Sequence, residues 1–206
     1  MSKRAPNQVE RMRRLYGRQA RIYDPTRAAI LFGHDALVAD LALEPGARVL
    51  DIGCGTGRLL PALSRVVGRS GRVVGTDCVA SMLERASHRT SALPNVELVL
   101  GDREFDWPDG PFDAITLAYV LTLVPDWHDA IEEAGSRLGV DGKIGVIDFS
   151  VRPIWPIRRL FEAHRIEFGE ARRDHLRTRF ATLTDIDARA RTGLWNYFRF
   201  TGRNRT

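Results

Sequence analysis

The sequence predicts a doubly wound α/β domain built on a mostly parallel sheet, and three observations carry that expectation. From residue 47 onward, short β-rich runs alternate with amphipathic helical stretches. The β-rich runs are almost continuously apolar, as strands covered by helices on both faces must be. A glycine-rich turn stands where the first run passes into the first helical stretch, at Gly53, Gly55 and Gly57.

Taken in order, ARVLDI (47 to 52) reads as the first strand, RVVGTD (72 to 77) as the second and VELVLGD (96 to 102) as the third. FDAITLAYV (112 to 120) and KIGVIDFS (143 to 150) complete the central series. Helical stretches fall from Arg58 to Val67, Ala80 to Thr90 and Trp127 to Leu138. Pro94-Asn95, Pro108-Asp109-Gly110 and Asp141-Gly142 are turn sequences at the expected boundaries. Near the C-terminus, LWNYFRFTG (194 to 202) is aromatic and β-prone, and is expected to form an antiparallel last strand.

At 206 residues the chain is expected to be one domain over residues 1 to 206. Its parts are basic amphipathic lid helices (1 to 40), a cofactor-binding core (47 to 150), a basic insertion on the acceptor side (151 to 180) and C-terminal strands (181 to 206). No run approaches the roughly 20 apolar residues of a membrane span, and no apolar signal core follows the basic N-terminus. A cytoplasmic protein, free or bound peripherally at the inner membrane face, is expected.

Cys54 and Cys78 make a poor disulfide framework, in keeping with a reducing compartment. His34, His88, His128, His164 and His175 are scattered without ligand spacing, so no metal is implied. Charge is distributed unevenly. Residues 1 to 27 carry 8 basic against 2 acidic side chains, residues 28 to 151 carry 10 against 18, and residues 152 to 179 carry 8 against 4. An acidic body flanked by basic segments points to an anionic partner, unless the charges are simply solvated helix faces.

The strongest motif is VLDIGCGTG (49 to 57), an acidic residue followed by alternating glycines at a strand-to-helix turn. Glycine suits such a turn because a ligand can approach the backbone without meeting a Cβ atom. Asp77 ends the second strand 20 residues after Gly57, where a carboxylate can accept both hydroxyls of a ribose. Asp102, in the Gly-Asp pair after the third strand, is placed to accept from an adenine amino group. The alternation Gly-x-Gly-x-Gly after Asp51, that Gly-Asp pair and Phe112-Asp113 entering the fourth strand all argue against a nicotinamide-binding turn.

Over residues 47 to 150 these motifs resemble class I S-adenosylmethionine-dependent methyltransferases. The resemblance implies a Rossmann-like sheet of seven strands with S-adenosylmethionine as cofactor. It places Asp51, Gly53, Cys54, Gly55 and Gly57 on the methionine portion, Asp77 on the ribose, and Cys78, Met82, Asp102 and Arg103 on the adenine. Tyr23, from the lid, and Ala118, at the end of the fourth strand, complete the implied cofactor set.

The acceptor has to be read from the flanks, because the chemistry of methyl transfer is mostly positioning. Residues 7 to 23 set Val9, Met12, Tyr16 and Tyr23 on one helical stripe and arginines largely on the other, a pattern suited to an anionic membrane surface or to a lid packed on the domain. Residues 152 to 173 place Trp155, Ile157, Leu160 and Phe161 beside Arg152, Arg158 and Arg159. The stretch YGRQARIYDPTRAAILFGHDALV (16 to 38), with VIDFSVRP (146 to 153), resembles bacterial lipid-headgroup N-methyltransferases of the betaine-lipid and phosphatidylethanolamine type.

That resemblance implies an amine acceptor on a lipid headgroup. Tyr23 and Tyr119 would act as catalytic orienting groups, and Arg27, Tyr119, Arg152 and Arg158 would contact substrate. Quinone methyltransferases also carry a Tyr-Asp pair near the N-terminus, which keeps a quinone or small-molecule acceptor as the alternative. No nucleic-acid-binding module or base-methylation motif accompanies the core, so no nucleic-acid partner is expected.

Overall fold

The computed structural model describes residues 31 to 101, 107 to 151, 170 to 191, 193 and 195 to 205. Tyr23, Arg27, Asp102, Arg103, Arg152, Arg158 and Arg159 lie outside the described residues, as does the basic stretch before residue 31.

Seven strands form one sheet: β1 (Arg48–Ile52), β2 (Arg72–Asp77), β3 (Val96–Leu100), β4 (Phe112–Ala118), β5 (Leu138–Val151), β6 (Phe180–Arg189) and β7 (Asn196–Asn204). Their order is β3-β2-β1-β4-β5-β7-β6. The pairs from β3 through β5 are parallel, and β7 lies antiparallel to both its neighbours. The seven-stranded, mostly parallel, doubly wound sheet with an antiparallel last strand is therefore as expected from the sequence.

The described helices are α1 (His34–Leu41), α2 (Leu60–Val67), α3 (Ala80–Thr90), α4 (Trp127–Ser136) and α5 (Ala171–Arg179), with a 3-10 turn at Leu121–Leu123. Alternation along each strand sends side chains to opposite faces. Val49, Val73 and Ala114 pack with Val38 and Leu41 of α1, Leu60, Leu63 and Val67 of α2, and Ala86 of α3. Leu50, Val74, Ile115 and Leu117 pack on the other face with Ala130, Ile131 and Ala134 of α4 and Leu176 of α5. Both faces are thus closed, which is why the strand runs are continuously apolar.

Several element boundaries differ by a residue or more from the sequence expectation, most notably at three strands. Strand β3 stops at Leu100 and β4 at Ala118. Strand β5 begins at Leu138, not 143, because Asp141-Gly142 is a bulge inside the strand: Phe112 pairs with Leu138 and Ala114 with Lys143, and Asp141 has φ 61°. Ala171–Arg179, part of the expected basic insertion, forms α5, and its arginines serve the fold. Arg173 donates to Asp185 at 2.6 Å and to Asp187 at 2.9 Å. Arg177 donates to Asp185 and Asp174, and Arg179 to Glu132.

Helix α1 is anchored to the sheet at its C-terminal end, which leaves its N-terminal end beside Tyr119. Lys143 donates through Nζ to the carbonyls of Leu41 and Ala42, satisfying the C-terminal end of the helix. Arg199 of β7 pairs with Asp40 at 2.8 Å. Among the described residues no helix is long and apolar enough to cross a membrane.

Candidate active site

The site lies at the carboxyl ends of the parallel strands, where β1 and β4 diverge around the point at which strand order reverses. Asp51 of β1 is the register partner of Thr116 on β4, and Thr116 Oγ1 donates to Asp51 Oδ1 at 2.7 Å. Asp51 is almost wholly buried. Burial raises its carboxyl from an ordinary 3.8 to about 7; the Thr116 hydrogen bond opposes the rise and the charge of Asp77 adds to it.

Asp77 ends β2 on the same side of the sheet as Asp51, since strand residues two apart share a face. Its Oδ2 accepts from the Gly55 amide at 2.9 Å and its Oδ1 from the Val79 amide at 2.9 Å. Its carboxyl is also raised, by burial first, with those backbone donors pulling it back down. The second strand thereby ties down the loop that leaves the first.

The loop needs its glycines for different reasons. Gly53 has φ 66°, and a Cβ there would stand 2.5 Å from Val120 Cγ2, so close packing against the end of β4 forbids a side chain. Gly55 has φ 55° and nothing within 4 Å of a Cβ position. Its backbone faces open space. Arg89 of α3 donates to the Thr56 hydroxyl at 3.0 Å and to the Thr56 carbonyl, bracing the loop from the far side.

One buried and one half-buried carboxyl beside an open, glycine-lined backbone suit a ligand that is cationic at one end and carries a ribose at the other. Such a ligand compensates the carboxylates that burial otherwise disfavours. Cys54 is buried, and its thiol is pushed well above the ordinary range by burial and then by Asp51 and Asp77. It is a neutral member of the apolar core beneath the loop, not a nucleophile. Met82 is buried in the first turn of α3, Cys78 is half-buried in the turn before it, and Ala118 is half-buried at the end of β4.

Tyr119 follows Ala118 with φ 58° and is buried. Its hydroxyl donates to the Phe32 carbonyl at 2.8 Å and accepts from the Phe32 amide at 3.2 Å. Burial holds the phenol well above its ordinary pKa, against the opposing pull of the Phe32 backbone, so it stays protonated. The hydroxyl expected to orient an acceptor is instead engaged in holding the chain just before α1. That leaves the ring, beside those of His34 and Phe149, as the chemistry this side chain can offer.

Sequence reading assigned no site role to three groups that the fold brings around Tyr119. His34, at the start of α1, has its pKa lowered to about 4 by burial and then by the nearby Arg58, so the imidazole is neutral at physiological pH. Arg58, in the segment leaving the glycine loop, acts electrostatically on both His34 and Tyr119. Asp148 of β5 is fully buried, accepts from the Thr122 amide at 2.9 Å and has a carboxyl raised to about 6, by burial first, with its own neighbour Phe149 and then Arg172 pulling down. Only the Tyr-Asp and arginine motifs had a local signal; these three acquire their setting from strands and helices far apart in the chain.

Comparison with known proteins agrees with this geometry. Residues 49 to 142 match a family model described as a methyltransferase domain. A demethylmenaquinone methyltransferase of Staphylococcus aureus is 31% identical over 165 residues, covering 77% of this chain and 68% of that protein. An S-adenosylmethionine-dependent methyltransferase from Aquifex aeolicus superposes with a TM-score of 0.68 at 21% identity, over 92% of this chain and 98% of that one. The N-methyltransferase NodS from Bradyrhizobium japonicum, solved with S-adenosyl-L-homocysteine, superposes with a TM-score of 0.75 at 17% identity, over 98% and 100%. At those identities the two structures speak to the fold. With the sequence relationship and the paired carboxyls around an open glycine loop, the cofactor is S-adenosylmethionine, and the chain belongs to the class I S-adenosylmethionine-dependent methyltransferases.

Proposed function

We infer that the chain methylates a lipid-soluble acceptor, and that this acceptor is the ring of a demethylated quinol of the menaquinone type. The observation that carries the reading is the 31% identity to demethylmenaquinone methyltransferase across 77% of the chain. It supports the quinone alternative above the lipid-headgroup reading suggested by the N-terminal motif.

S-adenosylmethionine supplies the methyl group as an activated sulfonium and leaves as S-adenosylhomocysteine. The residues of the chain then have two tasks. Asp51, Asp77 and the loop from Gly53 to Gly57 hold the cofactor. On the acceptor side, Arg58 would steady the quinol oxyanion that makes the neighbouring ring carbon nucleophilic, and neutral His34, whose lowered pKa suits it to accept a hydrogen bond and not to hold a proton, would orient the quinol oxygen; the hydroxyl proton and the proton lost from the methylated ring carbon both pass to solvent water. The Tyr119 and Phe149 rings, 4.9 Å apart, offer an aromatic wall for the acceptor ring.

A second reading, N-methylation of an amine on a lipid headgroup, is favoured by Tyr23-Asp24-x-x-Arg27 and the arginine-rich segments on either side of the core. Under either reading the enzyme works peripherally at an anionic membrane surface on the cytoplasmic side, with the headgroup or quinol delivered from the bilayer.

One experiment separates them. The protein is incubated with methyl-labelled S-adenosylmethionine, anionic vesicles and either a short-tailed demethylated naphthoquinol or a total lipid extract, and the products are resolved by mass spectrometry. Label on the quinol ring supports the main reading. Label on headgroup amines replaces it with the second, and label only on water-soluble amines overturns both.

A further inference from the structure

We propose that His128, Glu132 and His175 form a binding site for a zinc-type transition-metal dication that ties α4 to α5. Their ligand atoms all lie within 4.8 Å of one another. His128 and Glu132 stand four residues apart on α4, so helical geometry brings them to one face, and His175 of α5 closes the group from the neighbouring helix. Spacing alone hid this cluster, because its third member lies 43 residues beyond Glu132 and arrives only through tertiary packing. The histidines are scattered without ligand spacing in the sequence, and the fold brings two of them together with Glu132.

Two imidazoles and a carboxylate are the donor set of open, three-ligand zinc sites, in which a water or another group fills the fourth position. Hard cations such as magnesium and calcium prefer all-oxygen surroundings and suit this cluster poorly. His175 Nε2 already meets Glu132 Oε1 at 2.8 Å, and the His128 and His175 rings are 4.0 Å apart between centroids. Ligand atoms on a tetrahedral zinc stand roughly 3.4 Å apart, from bonds of about 2.0 to 2.1 Å. Closure therefore requires only a small adjustment of His128, whose side chain is 58% exposed and able to rotate.

An outer layer of contacts also fits. Arg179 Nε donates to Glu132 Oε2 at 2.9 Å, which fixes the carboxylate and turns Oε1 toward His175. Asp129 Oδ1 lies 3.6 Å from His128 Nδ1, on the nitrogen that would be left to hydrogen-bond when Nε2 binds metal. Binding would replace the hydrogen bond between His175 and Glu132, with the His175 proton on Nδ1. The site is separate from the cofactor loop, and its elements reach the acceptor side through Arg172 of α5, which donates to the Leu121 carbonyl at 3.2 Å.

Trp127 provides a built-in reporter, its ring centred 5.9 Å from those of both histidines. The test uses the full-length protein after chelator treatment and dialysis. Zinc is titrated by calorimetry, and cobalt by visible absorption and by quenching of tryptophan fluorescence. We expect one zinc per chain, tetrahedral cobalt bands without a thiolate charge-transfer band, and loss of at least about tenfold in affinity in His128→Ala and in His175→Ala. The exposed position of His128 makes its replacement compatible with folding, which circular dichroism checks. Absence of saturable binding, affinity unchanged in both variants, or a thiolate band assigning the metal to cysteine overturns the proposal.

Discussion

Replacing Asp51 by asparagine isolates the free-energy cost of keeping a carboxylate ready for a cationic cofactor. Asp51 is buried, and its carboxyl is raised from 3.8 to about 7. Between those values the folded protein binds more protons at this position than the unfolded chain does, so folding stability falls as pH rises through the interval. Each pKa unit is worth about 1.4 kcal/mol, so the folded state without cofactor gives up at most about 4 kcal/mol once pH exceeds 7. About 2 to 3 kcal/mol of that loss falls between pH 5 and pH 8.

The amide introduced by Asp51→Asn would keep an acceptor for the Thr116 hydroxyl and remove the titration. The variant should therefore be more stable than the native protein without cofactor, by a margin that widens by about 2 to 3 kcal/mol from pH 5 to pH 8. Urea unfolding of both proteins at the two pH values, without cofactor, measures the margin. If Asp51 holds the cationic end of the cofactor as proposed, the same variant should lose most of its affinity for S-adenosylmethionine. A margin that stays flat or narrows with pH would refute the reasoning, and so would native cofactor affinity in the variant.

Three further outcomes follow from the same geometry. Asp77→Ala strips the Gly55 and Val79 amides of their acceptor and, on the proposed placement of the cofactor, removes the ribose partner; it should cost about 1 to 3 kcal/mol and abolish cofactor binding, with native affinity by calorimetry as the contrary result. Gly53→Ala, whose Cβ would press on Val120, should lower Tm markedly, whereas Gly55→Ala, open to space, should lose cofactor affinity with a smaller fall in Tm; equal effects on Tm would contradict the assignment of the two glycines. Tyr119→Phe removes both hydrogen bonds to Phe32 and should destabilise by about 1 to 2 kcal/mol, which an unchanged denaturant midpoint would exclude.

The cofactor end of this enzyme is legible in its sequence because the chemistry is local. Asp51 through Gly57 form one contiguous run from the end of β1 into the glycine turn, and Asp77 follows at the end of the very next strand. Strand β6 has a weak signal because it lies at the sheet edge, where FATLTDIDAR interleaves polar residues and leaves Leu183 and Ile186 exposed. Helix α5 is hidden for a related reason. Its sequence ARRDHLRTR is nearly all polar, and its inner face is made by Arg172, Arg173 and Leu176, with the Arg173 guanidinium over the Phe198 ring at 5.5 Å. A search for apolar periodicity passes over a face built from arginine stems. Tyr119 and Asp148 have ordinary sequence settings. Their roles come from Phe32, 87 residues before the tyrosine, and from Thr122, 26 residues before the aspartate.

The insertion of β7 between β5 and β6 bears on how the protein is made. Until residues 196 to 204 have been synthesised, β5 presents an unpaired edge and β6 has no strand to join, since its sheet partner is β7. The portion from β1 to β5 can gather its parallel pairs earlier. The growing chain therefore carries an open, largely apolar strand edge for the time taken to translate about fifty more residues, a natural point for chaperone engagement and for misassembly. Once placed, β7 locks both neighbours together, and amide exchange across β5, β7 and β6 should proceed as a single cooperative unit.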